Sequence, residues 1–222
     1  MRHPRPLALA LWVAAGAVAA AISLFAFQGP GRPSATRTGT AFPFPCLEHE
    51  TVALHVHPWL RIVIDGQPVT VPAGIGIPRA LSDARGVVHA GACFQPLHTH
   101  DASGIVHVEG PDPAWRYTLG DFFRVWRATY PNVAVGGHPS PIDYTRDDLL
   151  GFRADAAHAI RLVVDGRPSS DGSQLVLNAL DYCRAGVTVP PCWPTAAADP
   201  FPPALARAYG TGHTILLEYR AR

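Results

Sequence analysis

The chain has 222 residues, of which 48% are hydrophobic and 16% are charged, a composition that excludes a wholly disordered protein. This length allows one large domain or two small ones. The formal net charge is +1, and because no basic face stands out, we expect no nucleic-acid partner. The 23 prolines and 20 glycines favour short strands joined by turns, so the sequence predicts a mainly β fold with one or two helices.

Residues 7–27 form an unbroken run of apolar, glycine and serine residues. Such a run can cross a bilayer core of roughly 30 Å as a helix. Arg2 and Arg5 precede it and no acidic residue does, which favours a cytoplasmic N-terminus. We predict that residues 1–27 are a cytoplasmic tip and a single-pass membrane anchor, with the folded part outside the cytoplasm. A cleaved signal peptide is the alternative, although its apolar region is usually about 7–15 residues long.

Residues 28–45 contain four prolines and three glycines and show no periodic apolar pattern. This composition predicts an extended linker between the membrane and the folded part. Beyond it we expect two small β-rich lobes. The first covers residues 46–140 and includes one helix and the histidine-rich segment, and the second covers residues 141–222.

The four cysteines form an even set in a chain that we expect to be exported, which predicts two disulfides. Four cysteines allow three pairings, and the sequence does not choose between them. We prefer Cys46–Cys93 together with Cys183–Cys192. Metal-bound thiolates are the alternative, but no C-x-x-C spacing supports them.

Residues 51–64 read as a strand region interrupted at Pro58, followed by Asp65-Gly66, a two-residue hairpin signal. Residues 67–71 would be the return strand. Further strands are predicted at residues 104–109, 174–180 and 214–219.

The clearest predicted helix covers residues 118–130. Thr118 with Asp121 three residues later has the spacing of a capping box, and Pro131 closes the pattern. The apolar residues between them recur at helical spacing: Leu119, Phe122, Phe123 and Trp126. We interpret this aromatic stripe as core packing.

Residues 60–68 match residues 160–168 at an offset of 100 residues, and both segments contain Asp-Gly at the same place. The match predicts a β-hairpin that the two lobes share. At this offset His55 aligns with Asp155 and His57 aligns with Ala157. The second lobe would therefore lack this pair of histidines.

Three short motifs in the first lobe contain potential metal ligands two residues apart. They are H-x-H, H-x-H-D and H-x-E, and in a strand, residues i and i+2 point to the same side. Imidazole with one carboxylate suits Zn, Cu, Fe or Mn, and the outer carboxylates can orient a ring. The candidate ligands of this predicted transition-metal site are His55, His57, His98, His100, Asp101, His107 and Glu109.

Three functions fit this pattern. The first is a metal-binding protein of the cell exterior, with a protein partner in the cell envelope. The second is a metal-dependent enzyme, for example an oxygenase, isomerase or hydrolase, with an open metal position. The third is an interaction or assembly module whose histidines are structural. The sequence contains no nucleophile elbow, phosphate loop or H-E-x-x-H motif, so it names no reaction.

A longer motif, C-x-x-x-L-H-T-H-D-x-S-G-I-x-H-x-E, runs from Cys93 to Glu109, and L-G-D-F-F-x-x-W runs from Leu119 to Trp126. With the H-x-H strand at residues 55–57, these motifs resemble a largely uncharacterised family of exported or membrane-anchored prokaryotic proteins. The resemblance covers about residues 46–126 and implies no known reaction. It implies a common site that is built from His55, His57, His98, His100 and His107.

The motifs also resemble, more loosely, the metal site of the cupin barrels, in which a glutamate follows the H-x-H pair. This chain departs from that pattern, because Gly104 stands four residues after His100, where cupins have the glutamate. Resemblance of fold would not set the function in any case.

Overall fold

The computed structural model describes residues 43–50, 53–179, 204 and 213–222. These residues form several small sheets and the helix α1 (Leu119–Thr129), so the predicted mainly β fold is confirmed. The strands are β1 (Leu54–Val56), β2 (Trp59–Ile64), β3 (Gln67–Val69), β4 (Leu81–Ser82), β5 (Val88–Ala90), β6 (Leu97–His98), β7 (His107–Gly110), β8 (Val133–Val135), β9 (His138–Ser140), β10 (Asp148–Leu149), β11 (Phe152–Arg153), β12 (His158–Val164), β13 (Arg167–Ser169) and β14 (Thr214–Ala221).

Three predictions fall outside the described residues, namely the N-terminal membrane helix, all but the last three residues of the linker at residues 28–45, and the disulfide Cys183–Cys192. All three stay predictions. Among the residues that the structure describes, no helix has the length and apolar character needed to cross a membrane.

The largest sheet has five strands in the order β13-β12-β14-β2-β3. β14 lies at its centre, parallel to β2 and antiparallel to β12. Along β2, the buried residues Leu60, Ile62 and Ile64 alternate with half-buried ones, because successive side chains of a strand point to opposite faces of the sheet. Ile215 and Leu217 of β14 are fully buried beside them, so this sheet supplies much of the hydrophobic core.

Both copies of the predicted hairpin are present in this sheet, as β2–β3 and β12–β13. Asp65 and Gly66 have φ angles of 48° and 80°, and Asp165 and Gly166 have φ angles of 50° and 74°. A two-residue turn with both central residues at positive φ matches the twist of the flanking strands, which is why Asp-Gly is favoured there.

The division into lobes at residues 46–140 and 141–222 stays a prediction, although strands from both segments lie in this one sheet. The predicted strand at residues 174–180 is wrong where the structure describes it. Gly172–Gln174 and Leu177–Ala179 are 3-10 turns. The backbone around them instead binds the chain at the start of α1, where the Leu119 amide donates to the carbonyl of Leu175 at 2.9 Å.

Helix α1 begins at the predicted cap. The Thr118 hydroxyl accepts from the Asp121 amide at 3.1 Å, and the Asp121 carboxylate accepts from the Thr118 amide at 3.0 Å. This capping box satisfies two backbone donors at the helix N-terminus. Phe122 and Trp126 are fully buried on one side of the helix, so the aromatic stripe is core packing, as predicted.

Candidate metal centre

The three histidine motifs meet on a small antiparallel sheet of order β1-β7-β6. The pairing of β1 with β7 places His55 opposite Glu109, and the pairing of β6 with β7 places His98 opposite His107. Residues directly opposite each other project to the same face, and so do residues two apart in one strand. The strand register therefore gathers side chains of all three motifs on one face.

The other face of this sheet belongs to the hydrophobic core. Val56, Leu97 and Val108 alternate with the motif residues and are each at most 5% exposed. Their burial fixes which way each strand faces, because a shift of one residue would turn them toward the histidine side. Core packing therefore holds the imidazoles on a common side.

Thr99 fixes the direction of the second motif. Its hydroxyl donates to the carbonyl of Pro72 at 2.7 Å and accepts from the amide of Ile75 at 3.1 Å, and the residue is fully buried. Since alternate side chains of an extended segment point to opposite sides, His98 and His100 project away from this anchor.

Gly104 lets the third motif approach β2. Its φ is +86°, and a Cβ atom there would lie 2.4 Å from the carbonyl oxygen of Leu60. Backbone bonds of 2.8 Å from Leu60 to Gly104 and of 2.9 Å from Val106 to Pro58 join the two segments. The backbone therefore approaches β2 closely at Gly104, three residues before β7 begins at His107.

His98 and His100 form the best-defined pair of donors. Each Nδ1 lies against a backbone carbonyl, His98 on Gln95 at 2.8 Å and His100 on Val88 at 2.6 Å. A carbonyl oxygen only accepts, so each Nδ1 carries its proton and donates. The two Nε2 atoms face each other at 3.1 Å. In the neutral rings both Nε2 atoms carry lone pairs, which repel unless a cation lies between them.

The 3.1 Å separation also matches shared metal ligation. Imidazole nitrogens bind Zn²⁺ at about 2.0–2.1 Å, and two of them on one ion lie roughly 3.0–3.4 Å apart. Glu50 adds an oxygen 3.1 Å from His100 Nε2 and 3.9 Å from His98 Nε2. The donor set therefore fits a transition-metal ion.

A second set of donors surrounds Glu109. Its Oε1 atom lies 3.0 Å from His55 Nε2, 2.9 Å from His107 Nδ1 and 3.9 Å from His57 Nε2. His57 Nε2 and His107 Nδ1 are 3.1 Å apart. One donor atom from each of these four residues lies within 4.8 Å of the others, a spacing that can hold a metal ion.

Burial keeps the central imidazoles in the form that binds metals. It lowers the pKa of His57 and of His98 to about 3, and it lowers the pKa of His107 well below the ordinary value. Repulsion from neighbouring imidazoles adds to the effect of burial in all three. At neutral pH these rings are therefore neutral, and each has one nitrogen that can bind a metal ion without the loss of a proton.

Glu50 is the candidate ligand that the sequence motifs missed. The disulfide Cys46–Cys93, which confirms the preferred pairing, joins its segment to the segment before His98. Leu47 and Phe94 pair through two backbone bonds beside it, at 2.9 and 2.8 Å. The sequence could have indicated Glu50, because it lies four residues after Cys46. The preferred pairing of Cys46 with Cys93 places that segment near His98.

Asp101, the remaining candidate ligand, belongs to none of the groups that can hold a metal among the described residues. Its Oδ1 atom accepts from the Ser103 amide at 2.9 Å and so shapes the turn before Gly104. His89 and His158 lie outside the cluster, beside Asp83 at 3.3 Å and Asp155 at 3.2 Å respectively. The ligand roles of the converging residues stay predictions.

Comparison with known proteins found no matching family model, no matching curated protein and no matching solved structure.

Proposed function

We propose that this chain is a membrane-anchored, extracytoplasmic protein that binds a transition metal through its histidine cluster. The observation that carries the proposal is the His98–His100 pair. In each ring the Nδ1–H group donates to a backbone carbonyl, and the Nε2 atom faces the Nε2 atom of the other ring. These two Nε2 atoms are 3.1 Å apart, which is the spacing of two ligands on one ion. Backbone carbonyls that fix the tautomer of a ring are typical partners of metal-bound histidine.

The donor set supports Zn, Cu, Fe or Mn, which imidazole and carboxylate both bind. Other metal classes fit less well. Met1 is the only methionine in the sequence, so the chain offers no thioether site for Cu(I). Cys46 and Cys93 are joined in a disulfide, so neither offers the thiolate of a blue-copper site.

The location rests on the sequence and on one structural feature. Residues 7–27 have the length and apolar character of a membrane-spanning helix, and the arginines before them favour a cytoplasmic N-terminus. The disulfide Cys46–Cys93 is typical of an oxidising compartment, where such bonds persist. A protein partner in the cell envelope is part of the same proposal.

A metal-dependent enzyme is the second candidate, because two of the candidate ligands are partly exposed to solvent. His55 and Glu50 are 43% and 40% exposed, whereas His57, His98 and Glu109 are buried. A catalytic site keeps an accessible position for water or substrate, and a bound metal supplies Lewis-acid activation there. An exchangeable water on the ion, seen by spectroscopy, would favour this candidate over a carrier with a closed ligand shell.

Elemental analysis of the full-length chain, purified without a histidine tag, tests the proposal. We expect bound Zn, Cu, Fe or Mn in the wild type and a marked loss of metal in the double variant His98→Ala/His100→Ala. The matched control is His89→Ala/His138→Ala, which removes two exposed histidines and should keep the metal. Metal-free wild-type protein that also fails to take up Zn²⁺, Cu²⁺, Fe²⁺ or Mn²⁺ would contradict the proposal.

A further inference from the structure

The cluster contains more donors than one ion uses. A structural or catalytic zinc takes four protein or water ligands, and even six-coordinate ions leave one of these donors over. The seven residues that share metal-compatible spacing are Glu50, His55, His57, His98, His100, His107 and Glu109.

Six of these donors fall into two groups that have His107 in common. The first contains His55, His57 and Glu109, and the second contains His98 and His100. A third group of Glu50, His98 and Glu109 links the two. Each of the first two groups, completed by His107, has all its donor atoms within 4.8 Å of one another. Three or four donors at that spacing are what one ion needs.

The shape of the imidazole ring explains how His107 can serve both groups. Its Nδ1 atom lies 3.1 Å from His57 Nε2 and 2.9 Å from Glu109 Oε1. Its ring centre also lies 4.4 Å from that of His100 and 5.2 Å from that of His98. The two ring nitrogens point in divergent directions, so a nitrogen that faces the first group leaves the other for the second. A neutral ring has only one free lone pair, so ligation through both nitrogens requires the loss of the remaining N–H proton.

The two groups are immediate neighbours. Glu50, on the side of His98 and His100, and Glu109, on the side of His55, both offer an oxygen within 4.8 Å of a nitrogen of His98. The carboxylates supply two negative charges to the cluster. Compared with a set of neutral imidazoles alone, this charge favours the binding of more than one divalent cation.

We propose that the cluster is a two-metal centre, in which each group holds one transition-metal ion and the ring of His107, which releases its remaining N–H proton to solvent as the second ion binds, lies between them as a shared imidazolate ligand. This inference rests on the proposed metal-binding function. It deepens that function, because two adjacent ions beside partly exposed ligands are an arrangement that can clamp both reacting oxygens of a substrate.

Metal stoichiometry of the full-length chain tests the inference, with Zn²⁺ and Co²⁺ as probes in separate titrations. We expect two ions per chain in the wild type. The variant His98→Ala/His100→Ala should keep one ion, and His55→Ala/His57→Ala should also keep one. The control His89→Ala/His138→Ala should keep two.

The outcomes separate the two proposals. One ion in the wild type, lost entirely in either double variant, would overturn the two-metal centre and leave the metal-binding function standing. No ion in the wild type would overturn both. Because a variant can fail to fold, the wild type loaded with Cu²⁺ gives an independent reading: two ions linked through His107 should show magnetic coupling in electron paramagnetic resonance, and two uncoupled signals would contradict the shared ligand.

Discussion

Two backbone carbonyls determine what the imidazoles of His98 and His100 can bind. By accepting the Nδ1 protons, Gln95 and Val88 leave both Nε2 atoms to face the cluster. Thr99 stands between the two histidines and ties their backbone to the chain at Pro72 and Ile75. In the proposed metal centre, the affinity for an ion thus depends on residues that never touch it.

The role of the Thr99 hydroxyl in positioning the two imidazoles can be tested by substitution. We expect Thr99→Val, which keeps the shape of the side chain, to destabilise the protein by about 1–3 kcal/mol, because a buried donor and acceptor lose their partner. We also expect the affinity for Zn²⁺ to fall about 10–100-fold, as happens when outer partners of metal-bound histidines are removed. Chelator competition measures the affinity, and denaturant unfolding measures the stability.

Thr145→Val is the matched control, since the Thr145 hydroxyl accepts from Asp147 at 3.2 Å on an exposed turn. It should leave the affinity for Zn²⁺ unchanged. An equal loss of affinity in both variants would show that Thr99 does not position the imidazoles.

The lowered pKa values predict how the metal-free protein responds to acid. His57 and His98 have a pKa of about 3 when folded and about 6.5 when unfolded, so between these values the unfolded chain binds more protons. The contribution of these groups to the free energy of unfolding is therefore complete above pH 6.5 and is lost as the pH falls toward 3. Each ring contributes a slope of up to about 1.4 kcal/mol per pH unit.

Urea unfolding of the metal-free chain between pH 7 and 4.5 measures this slope. Replacement of His98 by Gln, which does not titrate, should reduce the slope by the contribution of one ring. A free energy of unfolding that does not change between pH 7 and 4.5 would contradict the burial of neutral imidazoles.

At the scale of the elements, the sequence reveals which residues share a face but not which strands are neighbours. The spacing in His55-x-His57 and His107-x-Glu109 follows from the twofold repeat of a strand. The registers that set His55 opposite Glu109 and His98 opposite His107 arise from contacts between distant segments, and no local pattern encodes them. The same limit explains why Glu50 was missed, because a long-range disulfide brings it to the site.

The close approach of Gly104 to β2 can be tested by adding a side chain at this position. Gly104→Ala introduces a Cβ atom 2.4 Å from the Leu60 carbonyl oxygen, at a φ of +86°. The unfavourable φ costs about 1–2 kcal/mol, and the overpacking costs about 1–3 kcal/mol more. Gly86→Ala is a matched control, since its φ is +81° and nothing lies within 4 Å of the added atom.

Thermal or urea unfolding of the two variants isolates the contribution of the contact. We expect Gly104→Ala to be clearly less stable than Gly86→Ala. If the two lose the same free energy of unfolding, the backbone approach at Gly104 is not tight, and the start of β7 is positioned by other contacts.

On the scale of the whole molecule, distant parts of the chain hold the site in place. The hairpin repeat could be predicted from the match of residues 60–68 with residues 160–168, and a strand is also predicted at residues 214–219. The position of β14 between β2 and β12 could not, because parallel pairing with β2 joins segments about 150 residues apart. The cross-link Cys46–Cys93 spans 47 residues and fixes the segment that contains Glu50.

Removal of this cross-link in Cys46→Ala/Cys93→Ala should lower the free energy of unfolding by about 2–4 kcal/mol, the usual effect of a disulfide that closes a long loop. It should also weaken metal binding, because Glu50 is no longer held beside His100. Glu50→Gln in the cross-linked chain separates the two effects, since it should weaken binding with little loss of stability. Unchanged affinity in both variants would exclude Glu50 as a ligand.

A crystal structure of the metal-loaded chain, with anomalous scattering measured at the edge of the bound metal, tests the metal centre most directly. We predict an anomalous peak about 2.0–2.1 Å from the Nε2 atoms of both His98 and His100. Anomalous peaks only at other positions, with this pair of rings bound to no ion, would contradict it.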